Sequence, residues 1–216
     1  MHPPRRTLIK TLAASPLLLS ALLRREAHAG SLGQGIRGFR GSVTVNGAPA
    51  YFRMPVGSGD TLRTGPASEA LVVFGSDAFL LRADSHMAFG SSGAASFLRV
   101  LSGALLSVFG HGPKRLQTPT ASIGIRGTGC YIEAGAAQTY FCLCYGAADI
   151  QPHAQPEQAM QIVTRHHDSP LLIHGAGVEK LMESSSVRNH TDAELELIES
   201  LVGRRPPFRP GTDYPY

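Results

Sequence analysis

Three cysteines in 216 residues are too few for a disulfide framework, and an odd number leaves at least one thiol unpaired. No apolar run reaches the roughly 20 residues of a membrane-spanning helix. The longest, over residues 11–23, is interrupted by Pro16. Catalytic signatures are missing as well: the chain has no Gly-x-Ser-x-Gly elbow, no His-Glu-x-x-His helix and no phosphate-binding loop. That weighs against an ordinary hydrolase or kinase. Gly33-Gln34-Gly35-Ile36-Arg37-Gly38 matches the dinucleotide fingerprint only in form, because the motif works between a strand and a helix of a βαβ unit and no strand is expected before it. Asn189-His190-Thr191 is a formal glycosylation sequon, but Thr191 is better explained as a helix cap.

A surplus of positive charge is also missing once the N-terminus is set aside. The whole chain carries 20 Lys and Arg against 16 Asp and Glu. Residues 1–29 hold five of those bases (Arg5, Arg6, Lys10, Arg24, Arg25) and one acid (Glu26), which leaves 15 of each sign in the remainder. Phosphate binding needs a surplus of Lys and Arg on one face, so a nucleic-acid partner is not expected.

What the N-terminus does contain is an export leader. Arg5-Arg6-Thr7-Leu8-Ile9-Lys10 is a short basic region followed by the apolar run, and Ala27-His28-Ala29 places small residues where a signal peptidase reads them, predicting cleavage before Gly30. The paired arginines point to twin-arginine export, with an ordinary secretory signal as the alternative. No cysteine lies at the expected cleavage point, so lipidation is not expected. The expectation is a periplasmic protein of bacterial type without a stable membrane anchor after cleavage.

Short apolar, β-branched stretches broken by Gly, Ser, Asp and Pro follow one another from residue 57 to about 150, which predicts an all-β domain over 30–150. The expected strands cover 70–74, 78–82, 86–89, 97–101, 105–109, 121–125, 130–134 and 140–145, with turns at 75–77, 90–93 and 110–113. Beyond residue 150 strand signals thin out until Leu171-Leu172-Ile173, so 151–216 reads as an irregular extension or a continuation of the sheet. One helix is expected near 192–202. Thr191 and Glu194 form a capping box, Leu195, Ile198, Leu201 and Val202 line one face, and Gly203 and Pro206-Pro207 stop it. The last nine or so residues read as a tail.

Several motifs in the β region occur in a recognisable order: Val56-Gly57-Ser58-Gly59-Asp60-Thr61-Leu62-Arg63-Thr64-Gly65, then paired strands around Gly75-Ser76, then Arg99 to Phe109 with Gly103. Thr118-Pro119-Thr120-Ala121 with Ile125-Arg126-Gly127-Thr128 comes next, and residues 139–146 close the series. This order resembles the FecR domain family over about 95 residues. The resemblance implies a β-solenoid-like or rolled β-sheet module used outside the cytoplasm for protein contact or ligand sensing, and it does not imply an active site. The family's regulators also carry a cytoplasmic segment that holds a sigma factor. With four residues ahead of Arg5, this chain is expected to lack it. On physical grounds Asp60 and Thr64 should bond turn amides, Gly127 should allow a sharp bend, and the Arg126 guanidinium should bond loop carbonyls across the roll.

The residues left over are Cys142-Leu143-Cys144 in a strand, His166-His167-Asp168 further on, and His190 at the helix start. Strand alternation puts Tyr140, Cys142 and Cys144 on one face and the bulkier Phe141, Leu143 and Tyr145 on the other, which should be the core face. Both thiols then point outward or under the segment after Ile150. Cys130 is expected as a buried, inert thiol. Thiols and imidazoles together suit Zn²⁺ or a copper ion, and Cys142, Cys144, His166 and His167 are the candidate ligands. Against this, Cys-x-Cys is not the usual ligand spacing, and adjacent histidines in extended chain point apart. The first functional reading is a periplasmic binding or sensing module, not an enzyme, that contacts another cell-envelope protein. The alternatives are a soluble metal- or haem-binding protein and a thiol-redox protein.

Overall fold

Among the described residues, fourteen strands form one continuous sheet that rolls over on itself. They are β1 (Gly35–Arg40), β2 (Val43–Val45), β3 (Ala48–Pro49), β4 (Thr61–Thr64), β5 (Glu69–Phe74), β6 (Asp77–Leu81), β7 (His86–Ser92), β8 (Ala95–Val108), β9 (Pro113–Gln117), β10 (Ala121–Ala134), β11 (Gln138–Pro152), β12 (Met160–Thr164), β13 (Leu171–His174) and β14 (Met182–Ser184). A short 3-10 turn (Pro156–Gln158) precedes β12, and one α-helix, α1 (Asp192–Ser200), follows β14. This computed structural model describes residues 33–92 and 95–208. The leader expected at 1–29, its cleavage point before Gly30 and the tail beyond residue 208 lie outside the described residues. Among the described residues no helix is long and apolar enough to cross a membrane.

Three long strands make the roll. In β10, residues 122–126 pair with β9 while 129–134 pair with the second half of β8. In β11, Gly146–Ile150 pair with β12, whereas Gln138–Phe141 pair with β13. Each long strand changes direction at a glycine with positive φ: Gly103 (84°) in β8, Gly127 (58°) in β10 and Gly146 (98°) in β11. Glycine adopts that backbone without a Cβ clash, so the strand bends and its ladder resumes on the far side. Where the sequence predicts separate strands at 97–101 and 105–109, and at 121–125 and 130–134, the chain therefore runs as single bent strands. At Gly103 the close approach is also essential, since a Cβ there would lie 2.4 Å from Ser85 Cα.

The bends divide the sheet into two layers. One contains β2, β4, β7, the first half of β8, β9, the start of β10, the end of β11 and β12. The other contains β1, β5, β6 and the remaining halves of β8, β10 and β11, with β13 and β14. Alternate residues of both layers meet in one core, from Val43, Leu62, Met87, Leu98, Leu116 and Ile123 on one side to Val72, Phe79, Leu81, Leu105, Ile132 and Phe141 on the other. Cys130 lies in this core and is fully buried, as expected of an inert thiol.

A second apolar cluster covers the outside of the second layer. There Leu80, Leu106, Tyr131, Tyr140, Cys142 and Cys144 are buried beneath Leu195 and Ile198 of α1. The helix starts with its predicted cap: the Thr191 hydroxyl accepts from Glu194 N (3.3 Å) and the Glu194 carboxylate accepts from Thr191 N (3.0 Å). Residues 151–208 thus continue the sheet through β12, β13 and β14 before turning back as the helix.

Several sequence expectations hold in detail. Asp60 Oδ2 accepts from Gly57 N (2.7 Å), and Thr64 Oγ1 accepts from Ser85 N (2.9 Å). Gly33–Gly38 does not open a dinucleotide fold, because Gly35–Arg40 is itself a strand. Arg126 differs: its guanidinium projects from the sheet and pairs with Asp149 at 3.3 Å instead of reaching loop carbonyls.

Candidate metal centre

The Cys142-Leu143-Cys144 strand places its side chains as alternation requires, with Leu143 and Phe141 in the inner core and Cys142 and Cys144 in the outer cluster. Tyr145 departs from the pattern. Cys130 pairs with Leu143 and Gly129 with Tyr145, so a β-bulge at Cys144 inserts an extra residue and turns Tyr145 to the outer side, where its hydroxyl donates to Glu199. The two thiols do face out from the inner core, but they are covered and fully buried.

Two short segments supply the cover. The loop after β12 is shaped by Asp168, whose Oδ2 accepts from Arg165 N (3.0 Å) and Thr164 Oγ1 (3.1 Å). Those bonds, with the Arg165 amide first, hold the Asp168 carboxyl below the usual carboxylate range. His167 N donates to Cys144 O at 3.0 Å. His167 has positive φ (53°), so the chain is not extended here and the two adjacent rings need not point apart. The second segment, just before α1, brings in His190. Its ring stacks on Tyr131 (4.7 Å, 15°), while Arg188 lies over Tyr140 (4.2 Å) and pairs with Glu133 (2.8 Å).

Cys142, Cys144, His167 and His190 thereby converge, each offering one donor atom, all within 4.8 Å of one another and all buried. Of the four ligands expected from sequence, three meet here. The fourth donor that converges with them is His190, while His166 groups with His167 and Asp192. His166 Nε2 instead contacts the Asp192 carboxylate at 2.8 and 3.0 Å. Sequence reasoning placed His190 at the helix start, and the only local signal for its role was its position one residue before the cap.

The separations suit a tetrahedral ion. His190 Nε2 lies 3.1 Å from His167 Nδ1, and Cys142 Sγ lies 3.5 Å from the same nitrogen. Bond lengths of roughly 2.3 Å to sulfur and 2.0–2.1 Å to nitrogen give tetrahedral edges of about 3.5 Å for S···N and about 3.4 Å for N···N. The far side of each ring is also occupied in the manner of a metal ligand. His190 Nδ1 donates to Arg188 O (2.7 Å), and His167 Nε2 faces Asp192 Oδ1 (3.1 Å). A carbonyl only accepts, and an ionised carboxylate only accepts, so these contacts place protons on the outer nitrogens and turn the inner ones, His190 Nε2 and His167 Nδ1, towards the thiols.

The electrostatics favour one thiolate even without metal. Contact with the Cys144 thiol, then with His167 and His190, holds Cys142 well below the ordinary thiol range against the opposing effect of burial. Burial and the neighbouring Cys142 charge push Cys144 up. Burial alone would lower His167, but Cys142 and Asp192 outweigh it and the ring holds a proton more tightly than a free imidazole. Such a site attracts positive charge.

Cys142, His167 and Asp192 also form a thiol–imidazole–carboxylate line of the sort used in nucleophilic catalysis. The thiol has 0% exposure, however, and none of the main surface depressions is lined by Cys142, Cys144, His167 or His190.

No family model matches the sequence, and no curated protein matches it either. Two crystal structures described as a candidate anti-sigma factor from Parabacteroides distasonis ATCC 8503 are similar in fold, with TM-scores of 0.50 and 0.49 and 11% identity. Each match covers 58% of this chain, and the chain spans about 60% of the other's length. A similar fold, matching over 58% of this chain, is therefore present in a protein described as a candidate anti-sigma factor.

Proposed function

We propose that this protein is an exported binding module of the FecR type that holds one zinc ion in a closed Cys142–Cys144–His167–His190 site and works by contact with another cell-envelope protein, without catalysis. The observation that carries the metal is the convergence of four buried soft and borderline donors from three separate chain segments. Charge balance favours Zn²⁺ over Cu⁺: two thiolates neutralise Zn²⁺, whereas Cu⁺ would leave a net negative charge in a buried place, which is costly. A haem fits poorly, because it takes protein ligands on its axis with the porphyrin between them, and here the donors crowd one point.

Four protein ligands leave no open coordination position, which is the arrangement of structural rather than catalytic zinc. The ion would join β11 to the loop at 165–168 and to the start of α1, fastening the C-terminal segment over the second layer. The order of FecR-like motifs and the fold likeness to a candidate anti-sigma factor support the binding-module reading, and the expected leader supports a periplasmic location.

Elemental analysis of the purified protein tests the metal directly. One zinc per chain is expected, lost in Cys142→Ser and retained in Cys130→Ser, whose thiol lies in the inner core. Wild-type protein without bound metal, still folded, would refute the site.

A further inference from the structure

The neutral overall charge conceals a division. From residue 30 to 132 the chain carries nine bases and four acids, while from 133 to 216 it carries six bases and eleven acids. The acidic half includes α1 and the segment that covers the second layer. The basic half supplies much of the first layer, over whose outer surface no α-helix packs among the described residues.

Register shows what that bare surface presents. Thr44, Arg63 and His86 lie side by side across β2, β4 and β7, and Ala88, Arg99, Gln117, Ser122 and Gln151 continue across β7 to β11. The next row runs through Arg115, Gly124, Asp149 and Gln161. Four arginines, Arg63, Arg99, Arg115 and Arg126, are exposed here. Asp149 is the one acid in these rows, and it pairs with Arg126. Arg63 and Arg115 form no ion pair among the described residues. Arg99 is held in place, its Nε donating to Gln117 (2.8 Å) and its guanidinium lying 5.5 Å over the Phe97 ring. His86 is depressed by burial and by the Arg63 charge, in keeping with a positive local field.

Small side chains separate the arginines. Ser122 and Gly124 floor a depression of about 430 Å³ bordered by Arg115, Asp149, Met160 and Gln161. At its side runs β12, which pairs with β11 alone and leaves its other edge unpaired among the described residues. Val163 on that strand is 71% exposed.

We propose that this face docks an extended acidic segment of another protein. Guanidinium forks match carboxylates in two-point contacts. Arg63 on β4 and Arg126 on β10 lie four strand spacings apart across the sheet, about 19 Å, and about six residues apart along the strands, about 20 Å, a diagonal of about 28 Å that an extended chain of roughly eight residues covers. Side chains on one side of such a chain recur every second residue, so acids at alternate positions would meet successive arginines. A polypeptide fits better than an anionic glycan for two reasons on the surface itself. The free edge of β12 offers main-chain hydrogen bonds to another main chain, and Met160 and Val163 offer apolar contact. This inference rests on the binding-module part of the reading above and is independent of the metal.

The test uses the full processed chain with its metal retained. A labelled ten-residue peptide alternating Glu and Val is titrated by fluorescence anisotropy beside its Gln-for-Glu counterpart. Wild type should bind the acidic peptide at least about tenfold more tightly, and binding should weaken steeply as salt is raised. Arg99→Glu combined with Arg115→Glu should abolish that preference at unchanged melting temperature and metal content. Arg40→Glu, on β1 away from this face, should retain it. Equal binding of the two peptides, or reversal without effect, overturns the proposal. So does binding of polygalacturonate but not of peptide, which would make the occupant a glycan. Self-association in sedimentation that the reversal abolishes would make it a second copy of this chain through its acidic half. Failure of the metal reading would appear separately, as zinc-free wild type with peptide binding intact.

Discussion

The two layers of the roll share three strands yet present opposite outer faces. On the second layer that face is apolar, with Leu80, Leu106, Tyr131 and Tyr140 buried under α1 and the Cys–His cluster. On the first it is polar and small, with Arg99, Arg115, Ser122 and Gly124 in the same positions of the pleat. The inward residues do not differ in kind, being Val, Ile, Leu and Phe in both. Alternation therefore determines only that one face of each strand is core. Whether the other face is bare or covered depends on whether its residues are themselves apolar, and here the apolar one has drawn the C-terminal segment over itself.

If the covered face owes its order to a metal clasp, the largest effect should come from the donors. Cys142→Ser with His190→Gln should lower the melting temperature by roughly 10 °C or more, and chelator should then have no further effect. A scanning calorimetry trace that is the same for wild type and double variant, with and without chelator, would show that packing alone holds the segment down. Truncation beneath the helix comes next. Ile198→Ala removes a fully buried side chain and should cost about 2–5 kcal/mol, whereas Val163→Ala, on the exposed β12, should stay within about 0.5 kcal/mol. Urea midpoints decide this, and similar costs at the two sites would mean that the faces are not distinct after all. The smallest expected change is in affinity. Asp192 holds His167 in orientation from the first residue of α1, so Asp192→Asn should weaken zinc binding about 10–100-fold in competition with a chromophoric chelator while leaving the stoichiometry at one. Undiminished affinity would show that the carboxylate only pairs with His166 and complements the positive end of the helix.

Much of the fold was legible because its signals are local. Alternating apolar residues marked the central strands, and Thr191 with Glu194 marked the helix start to the residue. The strands without a clear signal in the sequence, β1, β2, β3, β4, β9, β12 and β14, are short or interrupted by glycine, proline and polar residues, and they form because neighbouring strands supply their ladders. Glycines that read as strand ends proved to be bends for the same reason: the sequence shows that positive φ is tolerated, but not whether pairing resumes beyond it.

The site divides in the same way. Alternation along β11 was enough to put Cys142 and Cys144 on one face, with Leu143 opposite. Choosing His167 over His166 required the left-handed turn at His167, and recruiting His190 required α1 to pack back onto β11 over 40 residues later in the chain. By itself the sequence determined the strand periodicity, the helix cap and the shared face of the two thiols, because these depend on residues within a few positions of one another. The tertiary structure alone decided which imidazoles meet those thiols and which sheet face stays bare, because both follow from where a distant segment finds apolar surface to bury.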